Sequence, residues 1–487
     1  MKIKDIFPKL YFSGNNVGNI SVEGISNNTK FVKKGDLFFI IEGDNFDIFS
    51  FLSIIEHKVV GFVAEEKRRE VVNSIVKRKP VIFVPNIKEE LKRCTDLFYP
   101  VDLKRLKFIG VTGTNGKTTV TSLISYLLNK FSVKNALIGT IHHVIGDKKL
   151  KSFYTTPDYL CLRKLLYYIQ REGIEYVIME VSSHSIQQKR IEGINFLQCI
   201  FTNLTCDHLD YHLTMHNYFS TKERLFVENP SAISIINIDD RYGKKIFCTL
   251  EREKYSYGFS KYADYRITDY KISPKGVDFM VKVRGKKERI KNALIGRYNI
   301  LNILASLVSL DKLGFSIKEA GQLISSFRKL DGRMERVGSD IFVDYAHTPD
   351  ALRNALIALR NSGYKNIILV FGCGGNRDTK KREKMGKIAC LKATFTIITS
   401  DNPRNEDPLM ICQQIKKGFL KDNFFIIVDR KEAIKKAFSL KEHYKNCAMI
   451  VAGKGHEDYQ IIGNKQIRFK DKYIIKELIK ERNIMKG

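Results

Sequence analysis

The chain has 487 residues, which at roughly 100–200 residues per domain predicts two to four domains, each long enough to bury its own core. Hydrophobic residues make up 44% and charged residues 28%; that balance excludes a disordered chain, and no apolar run nears the ~18 residues of a membrane span. The 83 Lys and Arg exceed the 53 Asp and Glu by a formal +30, but the excess is dispersed, without the clustered basic and aromatic face that nucleic acid requires, and reads as compositional bias.

The opening MKIKDIFPKL has no apolar segment ahead of a small-residue cleavage site, so a cytoplasmic protein is expected. The runs DLFFII (36–41), FSFLSIIEH (49–57), VVGFVAEE (59–66) and PVIFVPN (80–86) predict a small α/β domain over 1–104, ended by the polar YPVDLKRLK. In 105–331, IEYVIMEV (174–181), FLQCIFTNL (196–204) and AISIINI (232–238) have the β-branched character of buried parallel strands, and TTVTSLISYLLNKF (118–131) has helical spacing. YSYGF, YRITDYKI and VDFMVKV within 249–292 read as antiparallel strands added to the edge, and NILNILASLVSLDKL (299–313) as an amphipathic helix. From 332 to 487 the alternation returns in NIILVFG, ATFTIITS, FFIIV and CAMIVAG. The expected architecture is therefore α/β in three domains: an N-terminal α/β domain, a central P-loop domain with a parallel sheet, and a C-terminal Rossmann-like domain. Nine cysteines form no C-x-x-C pair and read as reduced thiols.

Six polar motifs directly follow a strand: TGTNGKTT, SSHS, TNLTCDH, GCGGNRD, SDNPR and GKGHE. Ligands of open parallel sheets bind outside the carboxyl ends of strands, so two sheets are expected to turn their strand ends to a common cleft. The strongest motif is 110-GVTGTNGKTTV-120. A strand running through a Gly-rich loop into a helix sets backbone N–H groups and the helix N-terminus against phosphates, with Lys117 reaching the terminal ones and Thr118 available to Mg²⁺. The strict pattern needs Gly at 111, where Val111 stands, so this is a variant built on Gly110 and Gly113. Glu180, at the end of a strand, can complete a metal shell opposite phosphates, although a strand-end Glu is more often simply solvated. His208, His212 and His216 stand four residues apart as in a zinc helix, but no H-E-x-x-H carboxylate accompanies them, and zinc is not expected.

These motifs, with TTPD (155–158), EVSSHS, TNLTCDHLDYH, YFSTKERLF, GRYNILNILAS (296–306), DGRMERV (331–337), DYAHTPDAL (344–352), GCGGNRDTKKREKMG (372–386), SDNPRNEDP (400–408) and AGKGHEDYQ (452–460), stand in the order seen in the Mur ligases. The chain resembles that family over roughly 23–460, and DNPR resembles the branch that adds diaminopimelate. The resemblance implies an ATP-dependent, ADP-forming ligase of cytoplasmic peptidoglycan precursor synthesis. It would add meso-2,6-diaminopimelate to UDP-N-acetylmuramoyl-L-alanyl-D-glutamate through an acyl phosphate, as a monomer acting on small molecules, with no nucleic acid and no membrane span. ATP would lie on Gly113, Thr114, Asn115, Gly116, Lys117, Thr118, Thr119, Asn299, Asn302, Arg333 and Asp344. Mg²⁺ would be held by Thr118, Glu180, His208 and a carbamylated Lys222, with Lys117, Lys222 and His208 serving catalysis. Thr155, Thr156, Ser182, Gln188 and Arg190 would contact the uridine-nucleotide substrate, with the N-terminal domain as its binder. Arg377, Asp401, Asn402, Pro403, Arg404, Gly453 and Glu457 would grip diaminopimelate.

Two departures stand at the amino end. Asn28-Thr29-Lys30 replaces the family's Asp-Ser-Arg before 35-GDLFF-39, and no Gly-His-Asp-Phe cluster is recognisable in NFDIFSF (45–51). Three rival readings are the same reaction with L-lysine, a folylpolyglutamate-type ligase, and a basic P-loop protein moving along nucleic acid. The N-terminal hundred residues argue against the second, and GCGGNRD, DNPR and GKGHE against the third.

Overall fold

A computed structural model describes residues 1–8, 16–43 and 47–486; Asn45 and Phe46 of the NFDIFSF segment thus lie outside the described residues. The chain divides into two compact units, one of Met1–Leu106, Thr156–Glu175 and Gln188–Ile194, the other of Lys107–Thr155, Tyr176–Gln187 and Asn195–Gly487.

In the first unit β1 (Gly24–Ser26), β2 (Asp36–Phe39), β3 (Val59–Glu65) and β4 (Val81–Val84) pair in sequence order, all parallel. DLFF is buried at every residue, the pattern of a strand covered on both faces. The helix Ile87–Phe98 starts under Asn86, whose side chain accepts the Lys88 and Glu89 N–H groups, a cap that satisfies two otherwise orphaned donors. A helix from much later in the chain, Tyr159–Arg171, completes this unit. Its Leu160 joins the core of Ile87, Leu91 and Cys94, and Tyr167 meets the Tyr99 ring edge-on at 5.9 Å. Residues 1–104 are therefore only the first of three passes through this unit.

The second unit holds an eleven-stranded sheet: β5 (Lys107–Thr112), β6 (Asn135–Ile138), β7 (His142–Ile145), β8 (Lys148–Lys151), β9 (Tyr176–Glu180), β10 (Phe196–Phe201), β11 (Ile233–Asn237), β12 (Lys254–Gly258), β13 (Tyr265–Ser273), β14 (Gly276–Val283) and β15 (Lys286–Asn292). Its order is β15-β14-β13-β12-β11-β10-β5-β9-β6-β7-β8, and every pair from β13 to β6 is parallel. The expectation that YSYGF is antiparallel is thereby corrected. The helix Arg241–Thr249 carries the chain from β11 back to the start of β12, and such a crossover makes neighbours parallel, whereas within 254–292 tight turns join β13 to β14 and β14 to β15. A second correction concerns the helix Arg297–Lys312. Its residues 302–310 are buried without interruption, because it lies in one core with Val120, Leu123, Ile235, Tyr257 and Val281, so even its polar Asn302, Ser306 and Ser309 are turned inward and that stretch shows no face to solvent.

Six further strands, β16 (Glu335–Gly338), β17 (Ile341–Asp344), β18 (Asn366–Phe371), β19 (Phe395–Ile398), β20 (Phe424–Ile426) and β21 (Cys447–Ala452), form a sheet of order β16-β17-β21-β18-β19-β20, parallel apart from β16. The hairpin β22 (Tyr459–Ile462) and β23 (Lys465–Arg468) follows. Among the described residues no helix is long and apolar enough to cross a membrane.

Candidate active site

β5 is central, between β9 and β10, and the loop 113–116 leaves its carboxyl end where the flanking strands diverge, the crevice in which such sheets bind ligands. Two glycines are obligatory there. Gly113 has φ +143° and a Cβ on it would stand 1.9 Å from Thr202 Oγ1, while Gly116 has φ +92° and a Cβ would stand 2.5 Å from Asn302 Oδ1. Val111, where the strict pattern has Gly, is wholly buried inside β5. The Thr114 N–H donates to the Asn203 carbonyl (2.8 Å), the Asn115 N–H to Asn203 Oδ1 (3.0 Å), and the Thr202 hydroxyl to the Asn115 carbonyl (2.6 Å). The Lys117 amine turns back over its own loop, donating to the Gly113 and Thr114 carbonyls at 2.8 and 2.9 Å, and burial pulls its pKa down.

A cavity of about 420 Å³ opens over this loop. Thr114 to Thr119, Thr155, Glu180, His208, Asn299, Asn302, Arg333 and Asp344 all line it. Glu180 is 1% exposed rather than solvated: it accepts the Thr118 hydroxyl (3.0 Å), the Thr140 N–H (2.7 Å) and the Thr140 hydroxyl (3.0 Å). Thr118 and Glu180 thus offer hard oxygen donors beside a phosphate loop. Among the described residues no group of three His, Cys, Asp or Glu could hold a metal. That donor set suits Mg²⁺, which takes one or two carboxylates and completes its shell with phosphates and water.

His208 caps the short helix Leu209–His212 at φ +54°, with Nε2 3.4 Å from Asp207 Oδ2. Burial, reinforced by His184, Lys117 and Lys222, pulls its pKa to about 4, leaving a neutral imidazole at pH 7. The chain breaks at Leu213, φ +65°, before the next helix, Met215–Val227. The three histidines therefore share no helix face: His212 is buried against Ser183 Oγ at 2.8 Å and His216 is exposed. Lys222, on that second helix, is 1% exposed and lies under the loop rather than on the cavity wall, its amine donating to the Gly113 carbonyl at 3.0 Å above the Tyr218 ring. Burial, with Lys117 adding to it, pushes its pKa well below that of an ordinary lysine.

Residues beyond 331 reach the same loop. Arg333 Nη2 donates to Thr118 Oγ1 (3.2 Å) and its guanidinium covers the Tyr345 ring. Asp350 accepts the Asn115 amide at 3.2 Å. Asp344 spends both oxygens on the Met334 and Ala346 N–H groups and so shapes the wall. Asn302 donates to Asn299 Oδ1, and Asn299 to the Ile295 carbonyl.

GCGGNRD, SDNPR and GKGHE converge at the ends of β18, β19 and β21 and do not line this cavity, which corrects the single cleft expected from strand ends. Arg404, at φ +52°, donates to the Gly375 carbonyl (2.8 Å); Asn402 Nδ2 donates to Glu457 (3.0 Å); Arg377 is exposed. A Cβ on Gly453 would stand 2.5 Å from Asp401, and Pro403 packs its carbonyl against Gly375. In the first unit Arg190 donates to Gln188 Oε1 and to the Thr156 carbonyl (2.8 Å), which brings those three together, and Asn28 closes its own turn on the Lys30 N–H. In the second unit Ser182 starts the helix Ser183–Gln187 by accepting the Ser185 N–H, and Thr155 meets the Thr140 hydroxyl. Sequence reasoning missed Thr140, Asp207 and Asp350 on the cavity wall and Lys454 in the amino-acid cluster. Asp207, Asp350 and Lys454 stand inside quoted motifs, TCDH, HTPDAL and GKGHE, and only Thr140 had no signal.

Two family models match the chain: the Mur ligase middle domain over 111–310, and the Mur ligase, glutamate ligase domain over 332–455. A UDP-N-acetylmuramoyl-L-alanyl-D-glutamate--2,6-diaminopimelate ligase of Clostridium tetani is 40% identical over 99% of this chain and 100% of its own length. One from Clostridium acetobutylicum is 40% identical over 95% of this chain and 96% of its own. A solved structure bearing the same enzyme name is 28% identical, covers 99% of both chains and superposes with a TM-score of 0.61.

Proposed function

The chain belongs to the Mur ligase family, and from that premise we propose that it joins meso-2,6-diaminopimelate to UDP-N-acetylmuramoyl-L-alanyl-D-glutamate, with ATP converted to ADP and phosphate, in cytoplasmic peptidoglycan precursor synthesis. The observation that carries this reading is the likeness to diaminopimelate ligases at 40% identity over nearly the whole chain. It also leaves the lysine alternative without support.

Amide formation from a carboxylate and an ammonium is unfavourable in water, so the glutamate carboxylate first takes the terminal phosphoryl group of ATP. The deprotonated amine then attacks the acyl phosphate and phosphate leaves. The first step needs positioning and positive charge more than a covalent enzyme group. Lys117 and Arg333 supply cations, the N-terminus of the helix Lys117–Lys130 supplies N–H donors, and Asn299 and Asn302 hold the nucleotide side of the cavity. Thr118, Glu180 and His208 would hold Mg²⁺, which would supply positive charge against the phosphates. Lys222 is suited to carbamylation: a neutral buried amine adds CO₂ and releases one proton, becoming an anionic oxygen donor. Support comes from its burial and depressed pKa. Arg190, Gln188 and Thr156 take the uridine-nucleotide substrate, and the cluster around Arg404 and Glu457 takes the amino acid. Phosphate release from ATP, measured with the UDP-dipeptide and each amine in turn, tests the reading. Turnover should require the UDP-dipeptide and diaminopimelate together, and equal turnover with lysine would overturn the amine assignment.

A further inference from the structure

The amino-acid cluster contains a cation that the site assignment does not use. Lys454 follows Gly453 at the end of β21 and is 0% exposed. A lysine fully out of water is rare unless paired. Its ammonium donates to Asn402 Oδ1 and to Glu457 Oε2, both at 3.0 Å, and stands 4.0 Å from Asp401 Oδ1. Asn402 Oδ1 also accepts the Ile461 N–H at 3.0 Å, while its Nδ2 donates to Glu457 Oε2. Two donors on the oxygen leave the amide one orientation. Glu457 Oε2 is thus taken twice, and its Oε1 accepts from none of the described residues.

Two neighbouring carboxylates largely removed from water repel each other unless a cation stands beside them. Here one lysine serves two acids, and the surplus is a single negative charge beside Arg404. That matches an amino-acid head group, one ammonium beside one carboxylate. Resting on the reading of this cluster as the amino-acid pocket, we propose that Lys454 is a positioning residue for the incoming amino acid: it fixes the Asn402 amide and offsets one of two adjacent carboxylates, leaving one net negative charge to receive the substrate ammonium. Besides Lys454, the groups facing Glu457 are Asp401 and Arg404 on the DNPR turn, Tyr459 on β22, Tyr345 after β17 and Arg430 beneath. Burial and Asp401 raise the Glu457 pKa and Lys454 opposes them. Loss of Lys454 therefore leaves Glu457 protonated to higher pH.

The test is steady-state kinetics on the full-length enzyme carrying Lys454→Met, with diaminopimelate varied against saturating ATP and UDP-dipeptide. KM for diaminopimelate should rise about tenfold or more, with KM for the other two substrates within about twofold, since only the amine meets the altered charge. The acid limb of kcat/KM for the amine should move up by about one pH unit. A folded variant with unchanged amine KM and unchanged acid limb overturns the proposal, as does an equal loss for all three substrates, which is what a purely structural lysine would give. If Lys454→Met does not fold, Lys454→Met with Glu457→Gln removes both charges together, a neutral change buried sites tolerate better. Against Glu457→Gln alone the added lysine change should cost less than about twofold in amine KM; a further tenfold loss overturns the coupling. Failure of the pocket itself reads differently, because Arg404→Ala and Glu457→Gln would then also leave the amine KM at its original value.

Discussion

Asp471→Asn should destabilise the second unit more than any surface change. Asp471 opens the helix Asp471–Lys486 and pairs with Arg430, and both side chains are 0% exposed. The pair is bidentate, Nε to Oδ1 at 2.8 Å and Nη2 to Oδ2 at 2.9 Å, and the guanidinium also donates to the Ser400 (3.3 Å) and Ala452 (2.9 Å) carbonyls. Those carbonyls immediately precede Asp401 and Gly453, so one arginine ties the roots of both amino-acid loops. Asparagine keeps the shape and one acceptor but leaves the guanidinium buried without a counter-charge, a loss of about 3–5 kcal/mol. The second unit holds about 350 residues, so at roughly 1.4 °C per kcal/mol the melting temperature should fall by roughly 4–7 °C. Calorimetry and urea unfolding measure it, and Arg430→Met with Asp471→Leu should recover most of the loss, since replacing both partners leaves no stranded charge. A single Asp471→Asn protein melting within about 1 °C of the parent would refute the argument.

Lys117→Ala should lower turnover by roughly 10²–10³ with the fold intact; near-normal phosphate release from a folded variant would remove the loop from the chemistry. Lys222→Ala should be almost inactive and partly restored by a short carboxylic acid entering the gap, and no restoration at any concentration would count against the carbamate. Selectivity for diaminopimelate over L-lysine should reach up to about 10⁴, and Arg404→Ala should narrow it more than any other single change in the cluster, as paired kcat/KM measurements would show. His143 on β7 is 7% exposed, its Nδ1 has no hydrogen-bond partner among the described residues, and burial pulls its pKa to about 4. Its native pKa lies below the unfolded value of about 6.5, so stability is fully present above pH 6.5 and falls toward pH 4, by about 3 kcal/mol at most. His143→Leu should flatten that part of the stability profile, and an unchanged acid slope would refute the assignment.

What the sequence discloses depends on how far apart the partners of a residue lie. The 113–116 loop was legible because strand, glycines and helix are contiguous, and even the missing Gly at 111 resolves locally, with Gly113 meeting Thr202 instead. The strand direction of YSYGF was not, because pairing is set by the crossover that precedes it and not by its own residues. The buried polar face of Arg297–Lys312 hid for a related reason: Gln198 and Ser309 satisfy each other across the core at 2.5 Å, a partnership that no period along either element reveals. Lys222 in isolation reads as a surface helix lysine, and only the family motif singled it out, whereas its burial under Gly113 comes from a loop over a hundred positions away.

The first unit is assembled from three separate stretches of chain, with Tyr159–Arg171 laid against Ile87–Phe98. A fragment cut after Leu106 would hold all four strands yet leave Leu91, Cys94 and Tyr99 facing water where Leu160 and Tyr167 belong. Such a fragment should be sticky and poorly soluble rather than a free-standing module. During synthesis the same unit must wait, its last face open, until β5 to β8 and then Tyr159–Arg171 itself have left the ribosome. The amino-terminal portion of this protein is first in translation but cannot be first to finish folding.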